Sequence, residues 1–392
     1  MHGGSRAIAH LVGRLAERHE IALLCLRRSS EPPVDELLAR KLIHVDEVLH
    51  RTEDSSHRIR ELVRDYIGLL SGTPSWVRAT RSAEFARRAQ EKIATWRPHV
   101  VQLEYPVMGQ YVEALGDSPA ARVLVEHDLA VAAARELLPR RRGPARIRAR
   151  AELVAWNRFE RRLFQRVAAV VVFTDRDAAA ARELRAAEVF VVPLGTDVPP
   201  SPLDSAGASP ASLAFVGSFV HEPNVDAALR LARGIFPPLR ERFAGLRLEL
   251  VGHDPPAEVR AVAGPSVRVH ADVPDVAPYL DGASVVVVPL RLGGGMRLKV
   301  LEALAAGKAV VASPRALAGI DAVPGEHLLV AETDEEFIDA IASLIVDRTR
   351  RVTLGREAHR WARENLSWDR SAADFERLYD AISPVAHSAG TT

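Results

Sequence analysis

Between Pro289 and Gly307 the chain sets three consecutive glycines, Gly293, Gly294 and Gly295, ahead of Met296, Arg297, Lys299 and Glu302. Glycines allow the backbone to approach a ligand closely. The residues after them predict a helix that starts near Met296 and stops at Gly307, a residue type suited to a helix end. The free N–H groups and the positive dipole end of such a helix attract an anion. Cations are unfavourable in a first helical turn, so Arg297 and Lys299 there fit a bound anion that they answer. Glu302 follows on the same helix at a spacing that reaches a sugar hydroxyl. A glycine loop with solvated cations would carry the same residues, and this loop alone does not separate the two readings.

Two further glycine signals favour the anion. Phe215-Val216-Gly217-Ser218 ends a short apolar run, a place where a doubly wound sheet receives a ligand's phosphate. Gly3-Gly4 precedes a helical pattern at the start of the chain. Either one alone reads equally as an ordinary turn between strand and helix. A third constellation is Glu126-His127-Asp128, which closes another apolar run. His127 donates or accepts near neutral pH and is expected to face a ligand, and Asp128 is expected to cap a helix from Leu129. Glu104-Tyr105-Pro106 closes a run at the same level, as a plain turn or as lining for an acceptor. Other motifs are absent. No spaced glycine fingerprint for a dinucleotide follows a strand, Gly307-Lys308 lacks the rest of a phosphate-binding P-loop, and His221-Glu222 is an isolated surface pair rather than a metal site.

These residues need a scaffold that ends strands in loops. Short apolar runs at residues 20–25, 99–104, 122–126, 168–173 and 189–192 predict strands, and a second set falls at 213–216, 246–251, 267–270, 285–288 and 309–312. Helical spacing lies between them, as in Ile8, Leu11, Leu15 and in Val154, Phe159, Leu163, Val167. Continuous runs without polar alternation imply sheets covered on both faces. The fold class is therefore α/β, with two doubly wound parallel sheets. Residues 1–198 form the first domain, the proline- and serine-rich residues 199–211 a linker, 212–366 the second domain, and 367–392 a closing helix and tail. The glycines at 3 and 4 have no strand before them. The first strand of such a sheet is central, so its absence predicts a gap with unpaired backbone groups on both neighbours.

The 52 lysines and arginines balance 51 aspartates and glutamates, which argues against a dedicated nucleic-acid binder. One cysteine, Cys25, excludes a disulfide framework and a cysteine-rich zinc site and fits a reducing compartment. The apolar runs fall short of a bilayer span, and the opening residues lack the apolar core of a signal peptide. The expected location is cytoplasmic. Residues 140–166 interleave arginines with apolar positions, which reads as a solvated helix face or as a peripheral contact with an anionic inner-membrane surface.

Taken in order, Gly3-Gly4, Glu126-His127-Asp128, residues 192–197, Phe215-Val216-Gly217-Ser218, residues 251–253, 271–274, 293–307, 325–330 and 366–369 resemble the nucleotide-sugar-dependent glycosyltransferases of family four (glycosyl transferases group 1). The resemblance covers nearly the whole chain. It implies the GT-B fold, two Rossmann-like domains facing a central cleft, with the closing helix packed back on domain one. It also implies retaining transfer from a nucleoside diphosphate sugar to a glycan or lipid-linked acceptor, as in polysaccharide biosynthesis, with no metal and no cofactor. Carried over, the catalytic set is His127, Arg297 and Lys299. Gly3, Gly4, Gly217, Ser218, Gly294, Gly295, Met296 and Glu302 bind the donor, Glu302 at the ribose, and residues 269–273 hold the base. The chain departs from the family twice. The first of the family's two helix-flanking glutamates falls on Gly294, and the basic pair after the Gly-Ser turn is replaced by Phe219-Val220-His221-Glu222-Pro223-Asn224. Arg297 and Lys299 are expected to supply that charge from the other side. Competing readings are a nucleotide-sugar epimerase or phosphorylase on the same architecture, a truncated non-catalytic relative, and an unrelated Rossmann nucleotide binder.

Overall fold

A computed structural model describes residues 3–29, 31–50, 72–204, 207, 209–295 and 297–383. The chain divides into two compact units. One is built from Gly4–Pro193 with the chain from Ser371 onward, the other from Leu194–Arg370.

The second unit is one six-stranded parallel sheet. Its strands are β7 (Ser212–Val216), β8 (Arg247–Gly252), β9 (Val267–Ala271), β10 (Val285–Val288), β11 (Val310–Ala312) and β12 (Leu329–Val330), in the order β12-β11-β10-β7-β8-β9. The four valines of β10 are all buried, as a strand covered on both faces requires. Leu213, Phe215, Leu231, Ile235 and Phe337 fill the same core. The strand order reverses between β7 and β10, whose residues Ala214 and Val286 lie in register. A doubly wound sheet opens its ligand crevice at the carboxyl ends of the strands where the order reverses. The Gly217–Ser218 turn follows β7 and the triple-glycine loop follows β10, so the topology brings these two distant segments together.

In the first unit, β3 (Val100–Glu104), β4 (Ala121–Val125), β5 (Ala169–Val172) and β6 (Val189–Val191) form a four-stranded parallel sheet. The strands β1 (Ala22–Arg28) and β2 (His44–His50) form a separate parallel pair. Among the described residues no strand joins the two, which is the gap expected from the sequence. Its effect shows in burial. Strand β5 is buried throughout, whereas Leu23, Leu24, Cys25 and Leu26 of β1 are only half-buried. The Cys25 thiol is pushed up to about 11, by burial first and then by the Glu47 carboxylate, so it is held as an unreactive thiol.

The helices that bear on the sites are α1 (Gly3–Leu15), α2 (Ala130–Leu137), α3 (Gly143–Phe164), α4 (Glu222–Arg230), α5 (Leu298–Ala305) and α6 (Trp368–Ile382). The ten strands read from sequence are all present, with ends shifted by up to three residues. Strand β2 went unread because its sequence, His-Val-Asp-Glu-Val-Leu-His, is half polar, as an edge strand tolerates. Strand β12 is too short to leave a pattern. The proline-rich segment before β7 is anchored. The Leu203 N–H donates to the Ala306 carbonyl at 2.9 Å, and the fully buried Lys308 ammonium donates to the carbonyls of Asp204 and Asp281.

Candidate functional site

In the second unit the Gly217–Ser218 turn is locked against β8. The N–H of Gly217 donates to the Val251 carbonyl at 3.0 Å and that of Phe219 to the His253 carbonyl at 2.8 Å. The contact is so close that a Cβ on Gly252 would stand 1.7 Å from the Gly217 carbonyl oxygen. Only glycine fits at 252. Beyond the turn, Asn224 of α4 reaches back and donates through Nδ2 to the Ser218 carbonyl at 2.6 Å.

The second wall is the loop after β10. Gly293 and Gly295 take φ of 94° and 68°, the left-handed region that favours glycine. Arg230, 5% exposed at its side chain, holds the loop's base by donating to the Pro289 carbonyl at 3.1 Å. Helix α5 starts at Leu298, two residues later than the sequence predicted, with Arg297 at its N-cap. Glycines in left-handed conformation cannot enter the helix, so its first turn begins only beyond them. Met296 lies outside the described residues. Arg297 packs on the glycines, its Nη2 standing 2.8 Å from where a Gly293 Cβ would lie. Helix α5 ends at Ala305, and Gly307, at φ 74°, follows as the terminator read from sequence.

Lys299 joins the two walls. Its ammonium donates to Asn224 Oδ1, lies 4.7 Å from the centroid of the buried Phe215 ring, and is 2.7 Å from where a Gly217 Cβ would be. Burial, then the Arg297 guanidinium, pull Lys299 down to about 7, against the opposing Glu302 carboxylate. Beside it, the Ser218 Oγ is buried with no hydrogen-bond partner among the described residues. An unsatisfied buried hydroxyl and a desolvated cation are both costly. Both costs are relieved by one ligand, an anion that accepts from Lys299 and Ser218. Thus Gly217, Ser218, Gly294, Gly295, Arg297, Lys299 and Glu302 come together around one strand-order reversal. Sequence reasoning missed Asn224, Phe215 and the steric role of Gly252. None carries a charge, and only the packing shows that Lys299 reaches the turn.

In the first unit His127 follows β4. Its Nε2 lies 2.7 Å from Glu104 Oε2 at the end of β3. Its ring stacks on Tyr105, centroids 4.0 Å apart at 20°, and meets the edge of Phe173 at 5.1 Å. Tyr105 adopts φ 69°, a strained conformation for a bulky residue of the kind that gathers at functional positions. The structure corrects two expectations here. Asp128 does not cap the following helix: α2 starts at Ala130 with Leu129 at its N-cap and no side-chain cap. The fully buried Glu160 of α3 takes that role, accepting from the N–H of Ala130 at 2.8 Å and of Val131 at 3.3 Å. A carboxylate from a neighbouring helix reaches the amide groups end-on and displaces the local cap. Gly3 and Gly4 are the opening residues of α1, not a turn before it.

Behind His127 lies Glu126, 1% exposed, with neither carboxylate oxygen bonded among the described residues. Burial first, then the charges of Glu160, Asp128 and Asp177, push its carboxyl well above the usual range. Glu160 is likewise raised by burial. The first unit therefore buries two carboxyls whose proton affinity is raised.

The comparisons agree with this architecture. Residues 210–347 match the family model described as Glycosyl transferases group 1. A curated relative, an uncharacterised glycosyltransferase of Methanocaldococcus jannaschii, is 30% identical over 92 residues, which is 23% of this chain and 24% of that protein. Among solved structures, sucrose-phosphate synthase of Thermosynechococcus elongatus superposes with TM-score 0.69 at 17% identity, over 97% of this chain and 93% of that one. Anabaena HepE, solved in complex with UDP and glucose, superposes with TM-score 0.65 at 13% identity, over 97% and 96% of the two chains. The chain has the GT-B fold with two Rossmann-like domains. No described helix is long and apolar enough to cross a membrane.

Proposed function

We propose that this protein is a glycosyltransferase that moves a sugar from a nucleoside diphosphate sugar to a glycan or lipid-linked acceptor, with retention and without a metal. The observation that carries this reading is the buried Lys299 ammonium held by Asn224 against Gly217, in the same turn as the buried Ser218 hydroxyl that has no partner among the described residues. The match of residues 210–347 to group 1 glycosyl transferases and the UDP in the HepE structure support the same ligand class. The diphosphate rests on Lys299, Arg297, Ser218 and the free N–H groups of α5. These charges and dipoles stabilise it as it leaves, which is the main catalytic term such a site supplies. The bond from the anomeric carbon to the diphosphate breaks, the bond to the acceptor oxygen forms, and the acceptor proton passes to the departing phosphate. Glu302 holds the ribose, and His127 serves the acceptor side.

The test is calorimetry with UDP, GDP and ADP and their sugars, with and without EDTA, followed by assay of sugar release. Binding of one nucleotide, unaffected by EDTA, is expected. Binding without turnover by any donor and acceptor would favour the non-catalytic reading. Absence of nucleotide binding by the folded protein would overturn the donor site.

A lipid-linked acceptor would suit the surface of α3. Residues 140–166 hold ten arginines against two glutamates, Glu152 and the buried Glu160. Arg146, Arg148 and Arg150 are exposed beside Ile147, which is 75% exposed. Apolar side chains flanked by arginine fit the interface of an anionic bilayer. Co-sedimentation with phosphatidylglycerol vesicles, but not with phosphatidylcholine vesicles, is expected. Loss on reversing the three arginines to glutamate is the check.

A further inference from the structure

Strand β3 carries two polar residues, Gln102 and Glu104, two apart and so on one face. They are the middle links of a chain of side chains. Tyr379 of α6 donates through Oη to Gln102 Oε1 at 2.5 Å, Gln102 Nε2 donates to Glu104 Oε1 at 2.6 Å, and Glu104 Oε2 faces His127 Nε2 at 2.7 Å. Chemistry sets the direction. Burial first, then the Glu104 and Glu376 carboxylates, push the Tyr379 phenol well up, so it keeps its proton and donates. A carboxylate only accepts, which fixes the Gln102 amide with its nitrogen toward Glu104 and requires the His127 proton on Nε2. The second ring nitrogen of His127 has no partner among the described residues. The ring stacks on Tyr105 and meets the edge of Phe173, contacts that oppose its rotation.

We propose that Glu104, Gln102 and Tyr379 are positioning residues that hold His127 as its Nε2–H tautomer, presenting the Nδ1 lone pair to a substrate hydroxyl and against an anion. A lone pair accepts from a hydroxyl and repels a phosphate or carboxylate oxygen. Only the naming of that hydroxyl as the sugar acceptor's rests on the glycosyltransferase reading. The closing helix α6, far along the chain from the strands, thereby sets which hydrogen bond His127 can make.

The experiment is long-range proton–nitrogen NMR on histidine-labelled protein at about pH 8, with His127 assigned from a His127→Gln variant. The wild type should show Nε2–H in excess by about tenfold, the scale of one charge-assisted hydrogen bond. Glu104→Gln, whose amide both donates and accepts, should bring the tautomers near parity, and Tyr379→Phe should shift them the same way by less. Once an acceptor is known, Glu104→Gln should raise the acceptor KM and leave the donor KM unchanged. An Nδ1–H wild type overturns the proposal. So does an unchanged tautomer ratio in Glu104→Gln, including one accompanied by a lower melting temperature, which would mark Glu104 as merely structural. If the ratio responds as expected but no donor is turned over, the glycosyltransferase reading falls and the relay stands.

Discussion

The two Rossmann-like units use the same alternation of strand and helix with different success at burial. In the second unit six strands form one continuous ladder, and the central β7 and β10 are buried almost completely. In the first unit the ladder is broken between the β1–β2 pair and the four strands from β3 to β6, and the apolar residues of β1 stay half-buried. The polar groups differ as well. The second unit buries a lysine and an unpartnered hydroxyl among its described residues. The first buries carboxyls whose proton affinity is raised and a histidine engaged by Glu104.

The contrast can be sharpened by experiment. Hydrogen exchange should show the largest effect: amides of β1 and β2 are expected about a thousandfold less protected than those of β7 and β10, since opening free energies follow buried contact. Equal protection would mean that the β1–β2 pair is stabilised in a way the described residues do not show.

Next is Gly252→Ala. Its methyl would collide with the Gly217 carbonyl, so the turn must move. A loss of about 3 kcal/mol in stability, the upper range for overpacking, and loss of nucleotide binding are expected by thermal melts and calorimetry.

Lys299→Met separates function from stability. Nucleoside diphosphate affinity should fall about a hundredfold, as for a lost charge-assisted contact. The melting temperature should rise. The folded lysine titrates near 7, below its unfolded value. Between those values the unfolded chain binds the extra proton and stability rises with pH, while below 7 the cost of burying the charge is fully present. The gain is therefore greatest below pH 7 and fades at alkaline pH. By the same protonation, wild-type affinity for the diphosphate should decline as pH rises above 7.

The smallest effect is expected from Glu126→Gln. Glu126 and Glu160 have folded values raised above the unfolded one, so the folded state holds the extra protons and stability falls as pH rises through the raised values. The wild type should melt lower at about pH 9 than at about pH 5, and Glu126→Gln should flatten that slope. A variant with an unchanged slope would show that the Glu126 carboxyl is not buried in neutral form.

Much of this was legible in the residues. Apolar runs bounded by turn residues placed ten of the twelve strands among the described residues, because a strand covered on both faces needs an unbroken apolar sequence. Arg297 and Lys299 stood out because cations are unfavourable at a helix start. The glycines at 293 and 295 were readable because no other residue takes those backbone angles easily. Asp128 misled because local capping rules do not include a carboxylate delivered from another helix.

Sequence by itself therefore determined the alternation of strand and helix, the glycine loops and the clustering of Arg297 and Lys299 at a helix start, since all of these depend on residues close together in the chain. Tertiary structure alone decided that Lys299 reaches Asn224 and the Gly217 turn, that Glu160 caps α2, and that Tyr379 is linked through Gln102 and Glu104 to His127. Lys299 lies 75 positions from Asn224, Glu160 30 from Ala130, and Tyr379 277 from Gln102. Such distances are closed by the burial of whole sheets and helices, whose packing no local pattern encodes.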